Sequence, residues 1–126
     1  MLVNIKILLI IFKFIEKNEE PIETYKLIGK DFFLVGKDNR ICDVIIKNKN
    51  ISRQHAVIQF REKKKKNKEG DIENVVTPYI IDLCSTNGTY LNDEKIENSK
   101  YYELLDKDKL VFGEKGMEFV IMKTNE

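Results

Sequence analysis

Short apolar runs separated by polar turns recur along almost the whole chain, and the spacing of an amphipathic helix is nearly absent. Runs of this kind that are rich in Ile, Val, Phe and Tyr are typical of β-strands. The strands predicted in this way are 5–14, 23–28, 31–36, 43–46, 55–61, 78–83, 88–91, 95–96, 101–104, 109–112 and 117–123. Many short strands with frequent turns indicate an all-β sandwich.

A length of 126 residues predicts a single domain over 1–126, with a core at about 23–123 and an N-terminal strand at about 5–14. The apolar run ILLIIF near the N-terminus is too short to span a membrane as a helix, which takes about 20 residues. We therefore interpret this segment as a strand and expect no contact with a membrane.

The segment REKKKKNKEGDIEN, residues 61–74, is almost wholly polar and departs from the pattern on either side. We expect a charged loop insertion here: a long hairpin loop between a strand that ends near Arg61 and a strand that opens near Pro78, where a strand start tolerates proline. Its lysine run is also typical of a nuclear-localisation or nucleic-acid patch. RNA contact by this segment therefore remains an alternative.

Global charge and cysteine usage exclude several classes of function. With 22 basic and 21 acidic residues the net charge is +1, which gives no overall electrostatic case for nucleic acid. Cys42 and Cys84, without a Cys-x-x-Cys and with a single histidine, cannot complete a zinc site, and we expect two reduced, mostly buried thiols. The sequence contains neither G-x-x-x-x-G-K-S/T nor G-x-G-x-x-G, the glycine-rich motifs that bind nucleotides, so we expect no cofactor. Because the cysteines and the single histidine cannot complete a zinc site, we also expect no metal.

Two polar clusters stand at the ends of predicted strands: Ser-Arg-Gln-His at 52–55 and Ser-Thr-Asn-Gly at 85–88. With Lys37 they offer hydroxyl, guanidinium, ammonium and amide donors, and no carboxylate or thiolate nucleophile. Donors without a base suit a phosphoryl group, which has three acceptor oxygens and close to two negative charges. Arginine can fork onto two of those oxygens. The clusters therefore predict an anion-binding site on loops at one end of the sandwich.

The same residues do not predict an enzyme. Ser52 and His55 would lie on opposite faces of a strand, and no aspartate stands in a recognisable relation to orient the imidazole. We expect His55 to be structural, with its two ring nitrogens tying the loops on each side. Asn87 carries a donor and an acceptor, which suit a peptide main chain, and Gly88 suits a tight turn.

The order Gly36-Lys37, Ser52 to His55 and Asn87-Gly88, with flanking strands LVGK, HAVIQF, PYIIDL and KLVFG, resembles the forkhead-associated (FHA) domain. The resemblance covers about residues 23–123 and implies a sandwich of about eleven strands that binds phosphothreonine peptides. It implies roles in phosphate contact, peptide main-chain contact, peptide specificity and loop shape. Phosphate contact is assigned to Ser52, Arg53 and Thr86, and contact with the peptide main chain to Asn87. Peptide specificity is assigned to Asn48 and Lys49, and the shape of the loops to Gly36, His55 and Gly88.

The chain departs from the FHA pattern at one phosphate-contacting position. The arginine that usually follows the first glycine is Lys37 here, which supplies a point charge where arginine supplies a fork. Arg40, three residues on, is the alternative source of a guanidinium. Both residues are therefore candidates for phosphate contact.

The stretches SRQHAVIQFR, PYIIDL and YYELLDKDKLVFG are similar to the FHA domain of the Smad nuclear-interacting protein family, whose members belong to a pre-mRNA retention and splicing complex. The resemblance implies a nuclear location, a phosphothreonine-containing partner and contacts with splicing-complex subunits. The open alternative is an FHA scaffold that docks a splicing partner without phosphate.

Overall fold

The computed structural model describes residues 8–14, 23–113 and 117–123, and within them it has eleven β-strands and no helix. The strands are β1 (Leu8–Phe14), β2 (Glu23–Leu27), β3 (Phe32–Gly36), β4 (Val44–Ile45), β5 (Ala56–Lys66), β6 (Ile72–Asp82), β7 (Thr89–Leu91), β8 (Glu94–Lys95), β9 (Tyr102–Glu103), β10 (Lys109–Phe112) and β11 (Met117–Lys123). Residues 5–7 of the first predicted strand lie outside the described residues.

The strands form two sheets. One has the order β2-β1-β11-β10-β7-β8, and the other has the order β4-β3-β5-β6-β9. All pairs within these sheets are antiparallel except β3 with β4. The all-β class predicted from the short apolar runs is therefore confirmed.

The core lies between the two sheets because alternate residues of their central strands face each other. In β5, Ala56, Ile58 and Phe60 are buried while Val57 and Gln59 are half-buried, which is the period of two that a pleated strand requires. Fully buried side chains from both sheets meet there: Val35, Ile58, Ile80, Leu110, Phe112, Phe119 and Ile121. Each side chain of this size contributes about 1.5–3 kcal/mol by leaving water.

The predicted charged loop at 61–74 is wrong, because most of it is β-structure. β5 runs on to Lys66, β6 begins at Ile72, and the two strands pair in register over their full length from Ala56 with Asp82 to Lys66 with Ile72. The charged side chains conceal this hairpin, since residues 61–66 of β5 include no apolar residue. Main-chain pairing continues outward from the buried half of the same two strands.

A short turn of residues 67–71 closes the hairpin. Asn67 organises it: its side-chain Oδ1 accepts hydrogen bonds from the main-chain N–H groups of Glu69 (3.0 Å) and Asp71 (2.9 Å). Gly70 has a φ of +85°, a left-handed conformation that glycine adopts without strain. The turn-forming residues of the predicted loop are thus confined to its tip.

The structure also bears on membrane-spanning helices, metal sites and the state of the two cysteines. Within the described residues, no helix is long and apolar enough to cross a membrane, and no group of three His, Cys, Asp or Glu side chains is placed to hold a metal ion. Both cysteines are free thiols. Cys84 is exposed, so the expectation that both are mostly buried is wrong for it, while Cys42 is half-buried.

Candidate functional site

Three loops meet at one end of the sandwich: the one after β3, the one before β5 and the one after β6. They surround an open depression of about 500 Å³. Its lining residues are Lys37, Lys49, Asn50, Ile51, Ser52, Arg53, Gln54, Thr86 and Asn87. The fold therefore brings together both polar clusters and the lysine that follows β3.

The loop after β3 packs directly on the main chain of residues 52–53. A Cβ atom placed on Gly36 would lie 2.2 Å from the carbonyl oxygen of Arg53, so only glycine fits at this approach. The main-chain N–H of Lys37 donates to the Ser52 carbonyl, and that of Asp38 donates to the Arg53 carbonyl, both at 3.2 Å. The main chain of Arg53 is thereby fixed, while its side chain is exposed in the depression.

Two side-chain hydrogen bonds join the loop before β5 to the loop after β6. The hydroxyl oxygen of Ser52 accepts from the main-chain N–H of Thr86 at 3.1 Å. The side-chain amide of Asn87 donates to the carbonyl of Asn50 at 2.8 Å. Both loops are thus held in a fixed relation by residues of the depression itself.

His55 is fully buried behind the depression and ties both loops through its ring. The main-chain N–H of Ser52 donates to its Nδ1 at 3.1 Å, so Nδ1 carries no proton. Nε2 must then carry the proton, and it donates to the carbonyl of Gly88 at 2.8 Å. Burial lowers the pKa of His55, which keeps the ring neutral in this tautomer at neutral pH.

Asp82, at the end of β6, is a second buried anchor, only 3% exposed. Its carboxylate accepts from the main-chain N–H (3.0 Å) and hydroxyl (2.6 Å) of Ser85 and from the hydroxyl of Thr89 (2.7 Å). Ser85 in turn accepts from the N–H of Gly88 at 3.0 Å. Burial raises the pKa of Asp82, but these hydrogen bonds outweigh it, and the net shift of the pKa is downward.

No pattern in the sequence indicates that an aspartate lies near the single histidine, yet Asp82 Oδ1 is 4.0 Å from His55 Nε2. Together with Ser52 this looks superficially like a catalytic triad. Both ring nitrogens already bond main-chain groups, so neither can take the proton of the Ser52 hydroxyl. The arrangement supports the loops.

Two of the predicted binding residues do not line the depression. Arg40 turns back on Asp38, and two hydrogen bonds of 3.1 Å join its guanidinium to that carboxylate, which lowers the pKa of Asp38. Asn48 holds its own loop, because its Oδ1 accepts from the main-chain N–H of Asn50 at 2.8 Å. Lys37 and Lys49, by contrast, line the depression.

The sequence alone missed three residues that shape the site: Asn50, Gln54 and Asp82. Asn50 supplies the carbonyl that holds Asn87, and Gln54 lines the depression beside Arg53. Asp82 could have been noticed, since an aspartate followed three residues later by a serine commonly caps a turn. The other two carry no signal that separates them from ordinary loop residues.

The charge of the depression is uniformly positive. Three cationic side chains, Lys37, Lys49 and Arg53, line it, and among residues 8–14, 23–113 and 117–123 no acidic residue does. Hydroxyl and amide groups of Ser52, Thr86 and Asn87 supply further polar contacts. This arrangement favours a ligand that carries several negative oxygens.

Comparison with known proteins identifies the family from the sequence. Residues 28–113 match the FHA domain. The chain belongs to the FHA family. The matched range contains every strand from β3 to β10 and all three loops of the depression.

Relatives that contain this FHA domain are much longer than the chain. A probable serine/threonine-protein kinase of Dictyostelium discoideum is 46% identical over 84% of the chain, which covers 7% of that protein. Smad nuclear-interacting protein 1 of mouse is 41% identical over 84% of the chain, which covers 28% of that protein. The chain thus corresponds to a minor part of each, and in the kinase to a very small one.

A solved structure shows the same fold over nearly the whole chain. It is described as the yeast Pml1 splicing factor and its integration into the RES complex. The TM-score is 0.77 at 29% identity, and the match covers 96% of this chain and 82% of that one. The predicted resemblance to the FHA domains of splicing proteins is therefore confirmed.

Proposed function

We propose that this FHA domain binds phosphothreonine peptides in the depression at the loop end of the sandwich. The observation that carries the proposal is the positive charge there: Lys37, Lys49 and Arg53 converge among polar donors, with no carboxylate among the described lining residues. A phosphate that enters meets no repulsion from the lining residues and several donors within reach.

Each donor would contact the phosphate in a way that its own geometry sets. Arg53 presents a planar fork suited to two phosphate oxygens, while Lys37 supplies a point charge from the loop after β3. The Ser52 oxygen already accepts the Thr86 N–H, so its own hydroxyl proton is available to donate to a third oxygen. The exposed hydroxyl of Thr86 is placed to contribute a further bond.

The peptide main chain would run past Asn87. One hydrogen of its side-chain amide is used by the Asn50 carbonyl, which leaves the second hydrogen and the amide oxygen for the peptide. Lys49 would contact residues that follow the phosphothreonine, and Asn48 would act on specificity through the shape of its loop. We propose these two as the specificity loop.

The partner and location follow from the relatives and are proposals for this chain. Likeness to Smad nuclear-interacting protein 1 and to the Pml1 splicing factor supports a nuclear role in a pre-mRNA splicing or retention complex. Binding to a splicing subunit without phosphate is the competing function. The positive depression favours the phosphate-dependent one, because a neutral docking surface would not need three converging cations.

The test is a calorimetric titration with one threonine peptide in three forms: phosphorylated, unphosphorylated, and with glutamate in place of the phosphothreonine. Only the phosphorylated form should bind measurably, because a carboxylate offers fewer oxygens and about half the charge. Equal binding of the unphosphorylated peptide would establish the scaffold function in its place.

Lys37 and Arg40 should respond differently to substitution. Lys37→Ala should weaken phosphopeptide binding roughly tenfold, because it removes a charged donor from the depression. Lys37→Arg should match or exceed wild type, since arginine restores a fork. Arg40→Ala serves as the matched control and should change the affinity by less than about twofold, because its guanidinium is held by Asp38. A silent Lys37→Ala beside a binding-deficient Arg40→Ala would transfer the contact to Arg40.

A further inference from the structure

The outer half of β6 has one open edge. On one side β6 pairs with β5 along its whole length, but on the other side β9 pairs only with Tyr79 and Ile80. Residues 72–77 have no strand on that side within the described ranges 8–14, 23–113 and 117–123. An open strand edge is a template for pairing with another extended chain.

The direction of the main-chain groups at this edge follows from their neighbours. The carbonyl of Pro78 accepts from the N–H of Leu104 at 2.9 Å, so the main-chain groups of residue 78 point away from β5. Residues two and four positions earlier in a strand point the same way. The N–H and C=O groups of Val76 and Asn74 therefore face the open edge.

A groove of about 270 Å³ runs beside this edge. Its apolar surface comes from Phe60, Val75, Val76, Pro78 and Leu105, and Leu105 is 55% exposed. The charged lining side chains are Lys63, Lys65, Lys123 and Glu103. The groove thus joins an apolar floor and a mainly basic rim to an unpaired strand edge.

One ion pair already shows how a lysine of β5 reaches across β6. Lys63 of β5 forms a salt bridge with Glu103 of β9, on the far side of β6. Lys65 lies two residues further along the same face of the hairpin. Within the described residues it forms no ion pair, although Glu73 is its cross-strand neighbour on β6. Lys65 is therefore placed to meet a carboxylate on a strand that continues the line of β9.

We propose that this edge binds an extended acidic peptide as an added strand beside residues 72–77 of β6. Apolar side chains of the peptide would alternate with acidic ones, because successive residues of a strand face opposite sides. The apolar ones would pack on Val76, Pro78 and Leu105, and the acidic ones would meet Lys65 and its neighbours. Main-chain bonds to Asn74 and Val76 would supply affinity that does not depend on peptide sequence.

The surface favours a peptide over RNA. A strand edge offers alternating donors and acceptors that match another main chain, whereas a nucleic acid backbone offers acceptors almost alone. The nearby tyrosine rings, Tyr79 and Tyr101, are already packed against Arg61. The edge is also remote from the loop depression, since Ala56 and Lys65 are nine positions apart in β5, about 30 Å.

The test uses the whole chain and a short peptide of alternating valine and glutamate, followed by changes in amide chemical shifts. Asn74→Pro removes one N–H from the open edge, at a position equivalent to that of Pro78, which the strand already tolerates. It should weaken binding roughly tenfold relative to Asn74→Thr, which keeps the N–H.

A second pair of variants keeps the test decisive if Asn74→Pro disturbs the hairpin. Lys65→Glu should weaken binding roughly fivefold. Lys64→Glu makes the same change of charge on the opposite face of the hairpin and should have little effect. All four variants should leave the affinity of the loop depression for a phosphothreonine peptide unchanged, which separates this proposal from the proposed function.

Three results would overturn the strand-addition proposal. One is equal peptide affinity in Asn74→Pro and Asn74→Thr with both folded. Another is equal loss in Lys65→Glu and Lys64→Glu, which would indicate a diffuse charge effect. The third is tight binding of a short uridine oligonucleotide that both lysine variants weaken alike, which would assign the hairpin to nucleic acid.

Discussion

Replacing Arg53 by alanine should weaken phosphothreonine-peptide binding by about 2–5 kcal/mol, from about thirtyfold to a few thousandfold in Kd. The guanidinium is the one fork among the cations of the depression, and its loss leaves phosphate oxygens without a charged partner. The affinity of Arg53→Lys should lie between those of the wild type and Arg53→Ala, since lysine keeps the charge but lacks the planar pair of donors. Calorimetry with one phosphopeptide gives all three affinities.

The fold should not suffer from this change, because the side chain is exposed and the fixed part of Arg53 is its carbonyl. Arg61→Ala is the matched control. Its guanidinium lies 4.3 Å from the centre of the Tyr101 ring, outside the depression, so the affinity should stay at the wild-type value. If Arg53→Ala binds the phosphopeptide with wild-type affinity, the assignment of the phosphate to this depression is wrong.

Asp82→Ala should lower the free energy of unfolding by about 3 kcal/mol. The change removes a buried carboxylate and leaves the Ser85 N–H, the Ser85 hydroxyl and the Thr89 hydroxyl without their acceptor. Urea denaturation followed by circular dichroism measures the effect. Asp71→Ala, at an exposed position in the hairpin turn, is the control and should lie within about 0.5 kcal/mol of wild type.

The contribution of Asp82 should also depend on pH in a defined direction. Its pKa is lower in the folded chain than the usual value of 3.8, so the unfolded chain takes up the proton first as the pH falls. The stabilisation is complete above that value and is lost as the pH falls through the folded pKa. The difference between wild type and Asp82→Ala should therefore shrink in acid. A difference that stays constant down to pH values well below 3.8 would show that the carboxylate charge is irrelevant.

Much of the fold could be predicted because short apolar runs bounded by polar turns mark the strands that border the core. The β5 stretch from Ala56 to Phe60 is such a run, with Gln59 as its one polar residue, and its predicted position is correct to one residue at its start. The outer half of β5 lacks any such signal, since residues 61–66 include no apolar residue and are all exposed. Its pairing is set by the register of the inner half, which a local pattern does not contain.

The predicted start of β6 at Pro78 is wrong. A proline is expected at a strand start because it cannot donate to a ladder. Here its nitrogen faces β9 and the open edge, so its ladder with β5 needs no N–H from it, and the strand extends six residues further back to Ile72. Which side of a strand a proline faces depends on neighbours that the sequence does not reveal.

The site was predictable in its residue types and less so in its geometry. Ser52, Arg53, Thr86 and Asn87 stand at strand ends that the sequence locates, and the fold brings them together. Arg40 was a reasonable candidate from its position, but its pairing with Asp38 depends on the path of a loop. Loop paths are set by long-range contacts such as the approach of Gly36 to the Arg53 carbonyl.

The two cross-loop bonds, from Thr86 to Ser52 and from Asn87 to Asn50, bear on the kinetics of the proposed phosphopeptide binding. Because these loops are already ordered, an arriving peptide loses its own conformational entropy but need not arrange the receptor. The rate of association should then be set by diffusion and by the positive field of the depression, and it should vary little among phosphopeptides. Selection among them would rest on how long each complex lasts.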